Sequence, residues 1–238
     1  MGASYFQFKQ FIIHQQHCTM KVTTDSCLFG AWVADRIKED TSINSILDIG
    51  SGTGLLSLIL AQKSSAMIDA IELQEKDYLQ SVENILASPW KNRIKMTHAD
   101  AINRQFSKKY DIIVSNPPFY ESDLKSESRR KNIAHHGESL TLNTLISIIA
   151  RQLSPDGKFF LLLPEKRKTE LFEIVGNVGL FINQAIYAHQ TENHSAFRIM
   201  VEGSFANGLL KDKIINIKNG DQYSHEFIYL LKDYYLTL

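Results

Sequence analysis

Short runs of hydrophobic residues alternate with amphipathic stretches through the middle of the chain. Five runs are typical of buried strands, at residues 45–50, 66–73, 93–100, 110–116 and 157–165. Four stretches carry the apolar spacing of helices, at residues 54–63, 75–87, 140–153 and 165–178. Strands that alternate with helices along a chain predict a parallel sheet with helices on both of its faces.

The pattern changes towards the end of the chain. Residues 179–189 and 195–205 are strand-like runs joined by a short polar link, which predicts an antiparallel hairpin closing one edge of the sheet. Residues 212–219 predict a further short strand, and residues 223–236 have the apolar spacing of a helix.

The start of the chain forms an extension ahead of the first buried strand. Residues 5–15 alternate between apolar and polar positions like a single strand, and a helix beginning "TDSCLFGAWV" follows, with Thr24 or Asp25 expected as its N-cap. We therefore expect one domain over residues 1–238. Its parts are an N-terminal extension, a sheet core and a C-terminal strand with a helix, at residues 1–42, 43–205 and 206–238.

The sequence "DIGSGTG", residues 48–54, lies between the first buried strand and its helix. Gly50, Gly52 and Gly54 allow a tight turn and a close approach of the backbone to a ligand, where a side chain would collide. The helix N-terminus beyond the turn favours an anionic group. Because nucleotide-binding enzymes of several classes share this feature, the loop alone predicts a nucleotide-like ligand without specifying which one.

Three acidic residues lie at the ends of consecutive strands near this loop. Glu72 ends the second strand, where a carboxylate can accept hydrogen bonds from both hydroxyls of a ribose. Asp100 ends the third strand, where it can accept from the amine of an adenine ring beside Ala101 and Ile102. Together with Asp48, these acids suit a ligand with an amine, a ribose and an adenine but no pyrophosphate. We therefore predict S-adenosylmethionine as the cofactor in preference to NAD, with capping of three helices as the alternative explanation of the acids.

The fourth strand ends in "SNPPF", at the edge where the ligand is expected. Asn116 is held extended by the proline that follows it, and Pro117 and Pro118 have a fixed φ and no N–H, so the turn is stiff and presents acceptors. The Asn116 side-chain oxygen and the Pro117 carbonyl can accept both hydrogens of one planar NH2 group, which frees the nitrogen lone pair for attack. Phe119 offers a face on which a flat ring can stack. The motif predicts methyl transfer to an amide or an aromatic amine, driven by alignment and fixed acceptors.

The overall charge leaves the partner open. The chain of 238 residues has 26 basic and 26 acidic residues, so a polyanionic partner would have to contact local clusters. Four basic residues after the NPPF motif are the predicted phosphate contacts: Lys125, Arg129, Arg130 and Lys131. Residues 166–168 form a second basic cluster, and a solvated loop or helix end is the alternative for both clusters.

Other features argue against a membrane protein, a metal site and a disulfide framework. No apolar run approaches the ~18 residues of a membrane helix, and the start of the chain lacks the layout of a signal peptide. Cys18 and Cys27 have neither metal-type spacing nor a disulfide pattern, and His14 and His17 beside Cys18 lack a fourth ligand. We expect a cytoplasmic protein with no metal and no obligate protein partner.

"DIGSGTG" followed by "NPPF" resembles the class I S-adenosylmethionine-dependent methyltransferases that act on amino groups. Residues 6–33, with "FQFKQF" and "MKVTTD", are similar to the opening of the bacterial valine-tRNA adenine-N6-methyltransferase family, and "SPW", "SNPPFY" and "YYLTL" extend the likeness along the chain. The resemblance implies a Rossmann-like α/β fold, with a seven-stranded, mostly parallel sheet, an antiparallel edge hairpin and helices on both faces.

The resemblance also implies an activity and a set of residue roles. Members of this family methylate N6 of the adenine 3′ of the anticodon, position 37, in a valine tRNA. The residues implied to bind the cofactor are Lys21, Thr24 and Asp25 at its methionine end, Gly50, Gly52 and Gly54 under it, Glu72 at the ribose, and Asp100 and Ala101 at the adenine. The residues implied to hold the target base are Asn116, Pro117, Pro118 and Phe119, with Asp48 and Asn116 also counted in the cofactor site.

Other functions remain open at this point. Protein glutamine-N5 methyltransferases, which act on release factors or ribosomal proteins, use the same acceptors, but they resemble a longer design with a helical domain ahead of the sheet. Here only residues 1–44 precede the first strand of the predicted sheet. Methylation of a base amino group in rRNA would use the same site. A non-enzymatic nucleotide-binding module conflicts with the intact NPPF motif, and NAD-linked oxidoreduction lacks a group of residues to handle a hydride.

Overall fold

The computed structural model describes residues 4–117 and 140–238 of the chain. Its strands, in chain order, are β1 (Tyr5–Gln7), β2 (Ile12–His14), β3 (Ser45–Ile49), β4 (Met67–Glu72), β5 (Ile94–His98), β6 (Tyr110–Ser115), β7 (Leu153–Pro164), β8 (Phe181–Thr191), β9 (Ala196–Ser204), β10 (Lys211–Asn219) and β11 (Gln222–Tyr223). Its helices are α1 (Thr24–Ile37), α2 (Leu55–Lys63), α3 (Glu75–Leu86), α4 (Leu142–Gln152), α5 (Lys168–Asn177) and α6 (His225–Leu231), with a short 3-10 turn (Glu165–Arg167) before α5.

Nine of the strands form one sheet, in the order β11-β10-β8-β9-β7-β6-β3-β4-β5. Strands β5, β4, β3, β6 and β7 run parallel to one another, whereas β9 runs antiparallel between β7 and β8. This confirms the predicted parallel core with an antiparallel hairpin. The strand order reverses at β3 and β6, because β4 and β5 lie on one side of this pair and β7 on the other. Ligands of open parallel sheets bind at such a reversal, outside the carboxyl ends of the strands.

The sheet is two strands wider than the seven expected. Strand β10 pairs in parallel with β8, and β11 turns back on β10, so the β8–β9 hairpin is not the edge of the sheet. Ile215 and Ile217 of β10 are buried in the same core as Phe227 of α6. The strand predicted at residues 212–219 joins the sheet, and Ile215 and Ile217 on one of its faces are buried with the C-terminal helix, whereas Ile214 on the other face is exposed.

Helices cover both faces of the sheet. On one face, α1, α2 and α6 share a core with alternate strand residues such as Ile46 and Val114. On the other face, α4 and α5 pack on the intervening residues, among them Leu47 and Ile113. This division follows because successive side chains of a strand point to opposite faces. In the described part of the chain, no helix is both long and apolar enough to cross a membrane.

The N-terminal extension forms a hairpin where the sequence predicted a single strand. Strands β1 and β2 pair antiparallel, with Tyr5 opposite His14, and the Phe8 N–H donates to the Phe11 carbonyl at 2.9 Å in the turn between them. The rings of Phe8 and Phe11 stack with their centroids 4.5 Å apart, and both side chains are buried. The expectation of one continuous strand was wrong because burial of both rings requires the chain to turn between them.

Helix α1 is capped by a different residue from those predicted. Thr23 is the N-cap, and not Thr24 or Asp25: its hydroxyl accepts the Ser26 N–H at 3.4 Å, and the Ser26 hydroxyl accepts the Thr23 N–H at 3.1 Å. Asp25 therefore lies in the first turn of the helix, where a carboxylate is favourable. Residue types alone do not separate these positions, because threonine and aspartate are both common N-caps.

Candidate cofactor and catalytic site

The glycine loop between β3 and α2 adopts the conformation that its residues allow. Gly50, Gly52 and Gly54 have φ of 73°, 54° and 81°, in the left-handed region that favours glycine. The N–H groups of Gly50 and Ser51 donate to the Ile71 carbonyl at 2.9 and 3.1 Å, which ties the loop to the end of β4. A Cβ atom added at Gly50 or Gly52 would meet no heavy atom of the described residues within 4 Å. The loop therefore borders open space that a ligand can fill.

Glu72, the last residue of β4, holds this loop through its carboxylate. One oxygen accepts the Gly52 N–H and the other accepts the Gln74 N–H, both at 2.8 Å. The side chain is buried, and this burial raises the pKa of the carboxyl. A carboxylate can accept about four hydrogen bonds, so each oxygen retains a lone pair for a ligand hydroxyl. Glu72 thus lies where the sequence predicts a ribose partner, and it also shapes the glycine loop.

Asp48 lies inside β3, away from solvent. One of its oxygens accepts a hydrogen bond from the Ser57 hydroxyl of α2 at 2.7 Å, and the other has no partner among the residues that the structure describes. Burial raises the pKa of Asp48 to about 7, and the Glu72 carboxylate nearby adds to the rise. Asp48 is therefore a buried acid that joins the sheet to α2 and is partly protonated near neutral pH.

The Asp48→Asn variant is expected to change the pH dependence of stability. Between the unfolded-state pKa of about 4 and the folded-state pKa of about 7, the unfolded chain ionises Asp48 while the folded protein keeps the proton. The free energy of unfolding of the wild type therefore falls as pH rises through this window. Asparagine does not ionise, so the variant should gain stability relative to wild type, by up to about 4 kcal/mol above pH 7. Urea unfolding at several pH values between about 4 and 8 measures the difference.

Asp40→Asn is the matched control for this experiment. Asp40 is exposed, and hydrogen bonds from Ser42 lower its pKa, so its charge contributes stability that is lost as pH falls. Asp40 is ionised in both the folded and the unfolded chain above about pH 4, so the stability difference between Asp40→Asn and wild type should stay constant from about pH 4 to 8. If the free energies of unfolding of wild type and Asp48→Asn differed by a constant amount from about pH 4 to 8, Asp48 could not be a buried acid that keeps its proton in the folded protein.

Asp100 and Ala101 lie just beyond the end of β5. The Asp100 carboxylate accepts hydrogen bonds from the Ile102 N–H at 2.9 Å and from the Asn103 side-chain amide at 2.8 Å, so it closes its own turn. Ala101 is buried beside it. The Ala99 N–H donates to the Glu72 carbonyl at 3.0 Å. The structure therefore brings Asp100 and Glu72 to the same edge of the sheet.

Asn116 follows directly after β6, beside the glycine loop. Ser115 pairs with Ile49 across β6 and β3, and its hydroxyl donates to the Ile49 carbonyl at 2.7 Å, so Asn116 and Gly50 leave adjacent strands at the same level. The Asn116 side-chain oxygen is buried and accepts no hydrogen bond from residues 4–117 or 140–238. Pro117 is also buried. Buried polar atoms in folded proteins are nearly always paired, so this oxygen is a candidate acceptor for a ligand.

The N-terminal residues predicted at the methionine end of the cofactor have partners within the protein. The Lys21 ammonium donates to backbone carbonyls of the preceding turn, among them that of Cys18 at 3.2 Å. Asp25 forms an ion pair with Arg198 of β9 at 2.7 Å. Thr24 is the exposed first residue of α1. These contacts hold the segment in place, and direct contact of the three residues with a cofactor stays a prediction.

Residues 18–21 are held against the start of α3. Burial raises the pKa of Cys18 to about 12, and the carboxylates of Asp77 and Glu72 contribute to the rise. The Thr19 N–H donates to the Asp77 carboxylate of α3 at 2.7 Å. Asp77 is not among the residues predicted from the sequence. Its only signal is an acid in the first turn of a helix, which does not distinguish an anchor from a favourable charge at the helix N-terminus.

Several predicted residues lie outside the described part of the chain: Pro118, Phe119, Lys125, Arg129, Arg130 and Lys131. Their roles at the target base and at phosphates stay predictions from the sequence. In the second basic cluster, Arg167 is buried and donates to the Glu170 carboxylate at 2.7 and 2.9 Å, so it forms an internal ion pair. The described residues contain no group of three or more side chains that could hold a metal ion.

Comparison with known proteins identifies relatives along the whole chain. Residues 31–188 match the family described as methyltransferase small domain. A protein of Dyadobacter fermentans named tRNA1(Val) (adenine(37)-N6)-methyltransferase is 39% identical over 239 residues, which cover 98% of this chain and 98% of that protein.

Solved structures support the same assignment of the fold. A protein of Agrobacterium tumefaciens described as a predicted O-methyltransferase has a TM-score of 0.66 at 15% identity, covering 88% of this chain and 96% of that one. A protein of Listeria monocytogenes described as a putative class I S-adenosylmethionine-dependent methyltransferase has a TM-score of 0.60 at 14% identity, covering 85% of this chain and 67% of that one. The fold and the full-length relatives agree with the resemblance stated for the sequence. The chain therefore belongs to the methyltransferase small-domain family and, within it, to the family of tRNA1(Val) (adenine(37)-N6)-methyltransferases.

Proposed function

We propose that this protein transfers the methyl group of S-adenosylmethionine to the N6 nitrogen of adenine 37 in a valine tRNA. The observation that carries the proposal is the buried side-chain oxygen of Asn116, which has no partner in the described part of the chain and lies beside the glycine loop. Relatives that match over nearly the full length are named for this reaction. The site thus combines a place for a methyl donor with an acceptor for an amine.

The residues around the glycine loop fit the proposed cofactor. Gly50 and Gly52 border open space, so their backbone can approach a nucleoside closely. Glu72 has lone pairs for ribose hydroxyls, and Asp100 has lone pairs for the amine of an adenine ring. S-Adenosylmethionine supplies a methyl group activated by its sulfonium centre.

The acceptors after β6 orient the target amine. The Asn116 oxygen accepts one hydrogen of the adenine NH2 group and the Pro117 carbonyl accepts the other, which directs the nitrogen lone pair towards the methyl group. A carbon–nitrogen bond forms as the carbon–sulfur bond breaks, and the amine then releases a proton to solvent. Alignment and fixed acceptors provide the rate, since effective molarities of about 10⁵ M or more are available to well-oriented reactants.

An adenine in a tRNA loop reaches these acceptors only after it leaves the loop stack. Extrusion of a base costs a few kcal/mol, least for bases that are not paired. Phe119 is the predicted stacking face for the extruded base. Phosphate contacts close to the site are predicted from Lys125, Arg129, Arg130 and Lys131.

Mass spectrometry of tRNA nucleosides tests the proposal. Valine tRNA from a strain that lacks this protein should lose N6-methyladenosine at position 37, because the enzyme proposed to methylate that amine is absent. The wild-type gene should restore the modification, and a gene carrying Asn116→Ala should not. Asn183→Ala is the control variant, because Asn183 lies near the opposite end of the sheet and should not affect the reaction.

An unchanged N6-methyladenosine content in the deletion strain would contradict the tRNA substrate. Incubation of the protein with labelled cofactor and with rRNA or a release factor would then locate the acceptor. Label on a glutamine side chain would assign the same acceptor groups to protein methylation.

A further inference from the structure

Asn84 of α3 joins the N-terminal extension to the glycine loop. Its side-chain oxygen accepts the His14 N–H at 2.9 Å, and its NH2 group donates to the His14 carbonyl and to the Thr53 carbonyl, both at 2.9 Å. The side chain is 1% exposed. One buried amide therefore makes three hydrogen bonds, two to β2 and one to the loop.

The Thr53 carbonyl belongs to the glycine-rich part of the loop. Thr53 lies between Gly52 and Gly54, both with positive φ, so steric contacts of side chains do little to fix the orientation of its peptide groups. Glu72 accepts the Gly52 N–H, and Asn84 donates to the Thr53 carbonyl. Two buried side chains thus hold two peptide groups of the loop that borders the cofactor space.

Helix α3 also holds the segment that follows β2. Asp77 accepts the Thr19 N–H at 2.7 Å, and its side chain is 5% exposed. Asp77 and Asn84 are seven residues apart, so they lie on the same face of the helix. The N-terminal extension is thereby fixed at two points beside Glu72 and the glycine loop.

We propose that Asn84 is a positioning residue for S-adenosylmethionine binding, which acts through the Thr53 carbonyl and through β2. It fixes the direction of the Thr53–Gly54 peptide together with the hydrogen bond from the Gly54 N–H to the Ser51 carbonyl at 2.9 Å. It also makes the N-terminal extension one wall of the cofactor site. An apolar side chain of the same size would fill the space but would remove these partners from the part-buried backbone groups of His14 and from the buried Thr53 carbonyl. The proposal rests on S-adenosylmethionine as the cofactor and does not depend on which amine is methylated.

Asn84→Asp tests this role at nearly constant volume. The aspartate keeps an oxygen for the His14 N–H, but its second oxygen faces the carbonyls of His14 and Thr53, which require a donor. Calorimetric titration with S-adenosylhomocysteine should give a Kd about 10- to 100-fold higher than that of wild type. The kcat at saturating cofactor and the Kd for tRNA should each change less than about threefold, because the acceptor groups are untouched. Asn84→Ser, whose hydroxyl can donate to one carbonyl, should lose less affinity.

Asn183→Asp is the matched control. Asn183 also bridges two segments, donating to the Ala206 carbonyl at 2.9 Å and accepting from the Ser204 hydroxyl at 2.8 Å, but it lies near the opposite end of the sheet. Its replacement should leave the affinity for S-adenosylhomocysteine within about twofold of wild type. Circular dichroism and thermal unfolding show which variants fold. If Asn84→Asp does not fold, the affinity of Asn84→Ser for S-adenosylhomocysteine tests the role of Asn84.

The outcomes separate a positioning role from general destabilisation. Weaker cofactor binding by a folded Asn84 variant, with tRNA binding and kcat retained, supports the proposal. Unchanged cofactor affinity overturns it, and so does an equal loss of cofactor and tRNA affinity. Calorimetry requires no methyl acceptor, so failure of the proposed tRNA substrate would be recognised separately, as absence of transfer by the wild type.

Discussion

The Asn116→Ala variant is expected to bind S-adenosylmethionine as wild type does and to lose methyl transfer, with kcat lower by about 100- to 1000-fold or more. The Asn116 side-chain oxygen is buried and without a donor in the described structure, so it is in place before the amine arrives. Removal of one preorganised hydrogen-bonding group from an active site costs about this factor. Single-turnover transfer to an unmodified valine tRNA, together with calorimetry for the cofactor, separates chemistry from binding.

Asn116→Asp distinguishes the loss of the hydrogen-bond acceptor from the loss of side-chain volume. Its carboxylate keeps an oxygen where the amide oxygen was, so this variant should transfer methyl groups faster than Asn116→Ala. Transfer by the alanine variant at the wild-type rate would rule out the acceptor mechanism. Equal losses in both variants would show that the amide NH2 group, and not the oxygen, is required.

The Glu72→Gln variant is expected to bind S-adenosylmethionine about 100-fold more weakly than wild type. Glutamine keeps one oxygen but turns an NH2 group towards the N–H of Gly52 or of Gln74, both of which need an acceptor. It also removes the charged acceptor for a ribose hydroxyl, and hydrogen bonds to charged groups contribute about 1.5–3 kcal/mol. Equilibrium titration with S-adenosylhomocysteine measures the loss.

A cofactor analogue without the ribose 2′-hydroxyl separates the two roles of Glu72, contact with the ribose and shaping of the loop. If Glu72 accepts from that hydroxyl, its removal should cost wild type about tenfold in affinity and cost Glu72→Gln much less. Equal costs in both proteins would mean that Glu72 acts only through the loop. Asp69→Asn is the control, because Asp69 is in the same strand but binds Tyr110 and Lys108 away from the cofactor edge.

The succession of strands and helices along the chain could be predicted because the apolar runs are short and separate, and most are followed by helical spacing. The N-terminal hairpin could not, since one strand and two strands with a tight turn have the same local alternation. The turn depends on a partner at the other end of the chain: the Lys9 N–H donates to the Tyr234 carbonyl at 2.8 Å. A contact between residues so far apart in the chain does not affect the local alternation of apolar and polar residues.

The sheet edge shows the same limit. The alternation of Ile215 and Ile217 predicts a strand, but it does not say that the strand pairs with β8 and moves the β8–β9 hairpin away from the edge. That choice depends on the apolar surface available after α6 packs. Pairing with β8 is favoured because it buries both isoleucines, and exposed apolar surface costs about 25 cal/mol per Å².

By itself, the sequence determined which residue types stand at the candidate site. The glycines at 50, 52 and 54 allow a positive φ, the acid at 72 carries a charge, and the asparagine before two prolines has a restricted backbone. These are properties of single residues and their immediate neighbours. Only the tertiary structure decided how those groups are held. Asn84 and Asp77 anchor backbone atoms 70 and 58 positions away in the chain. A buried hydrogen bond depends on which groups folding brings together, and local residue patterns carry no information about partners so far apart.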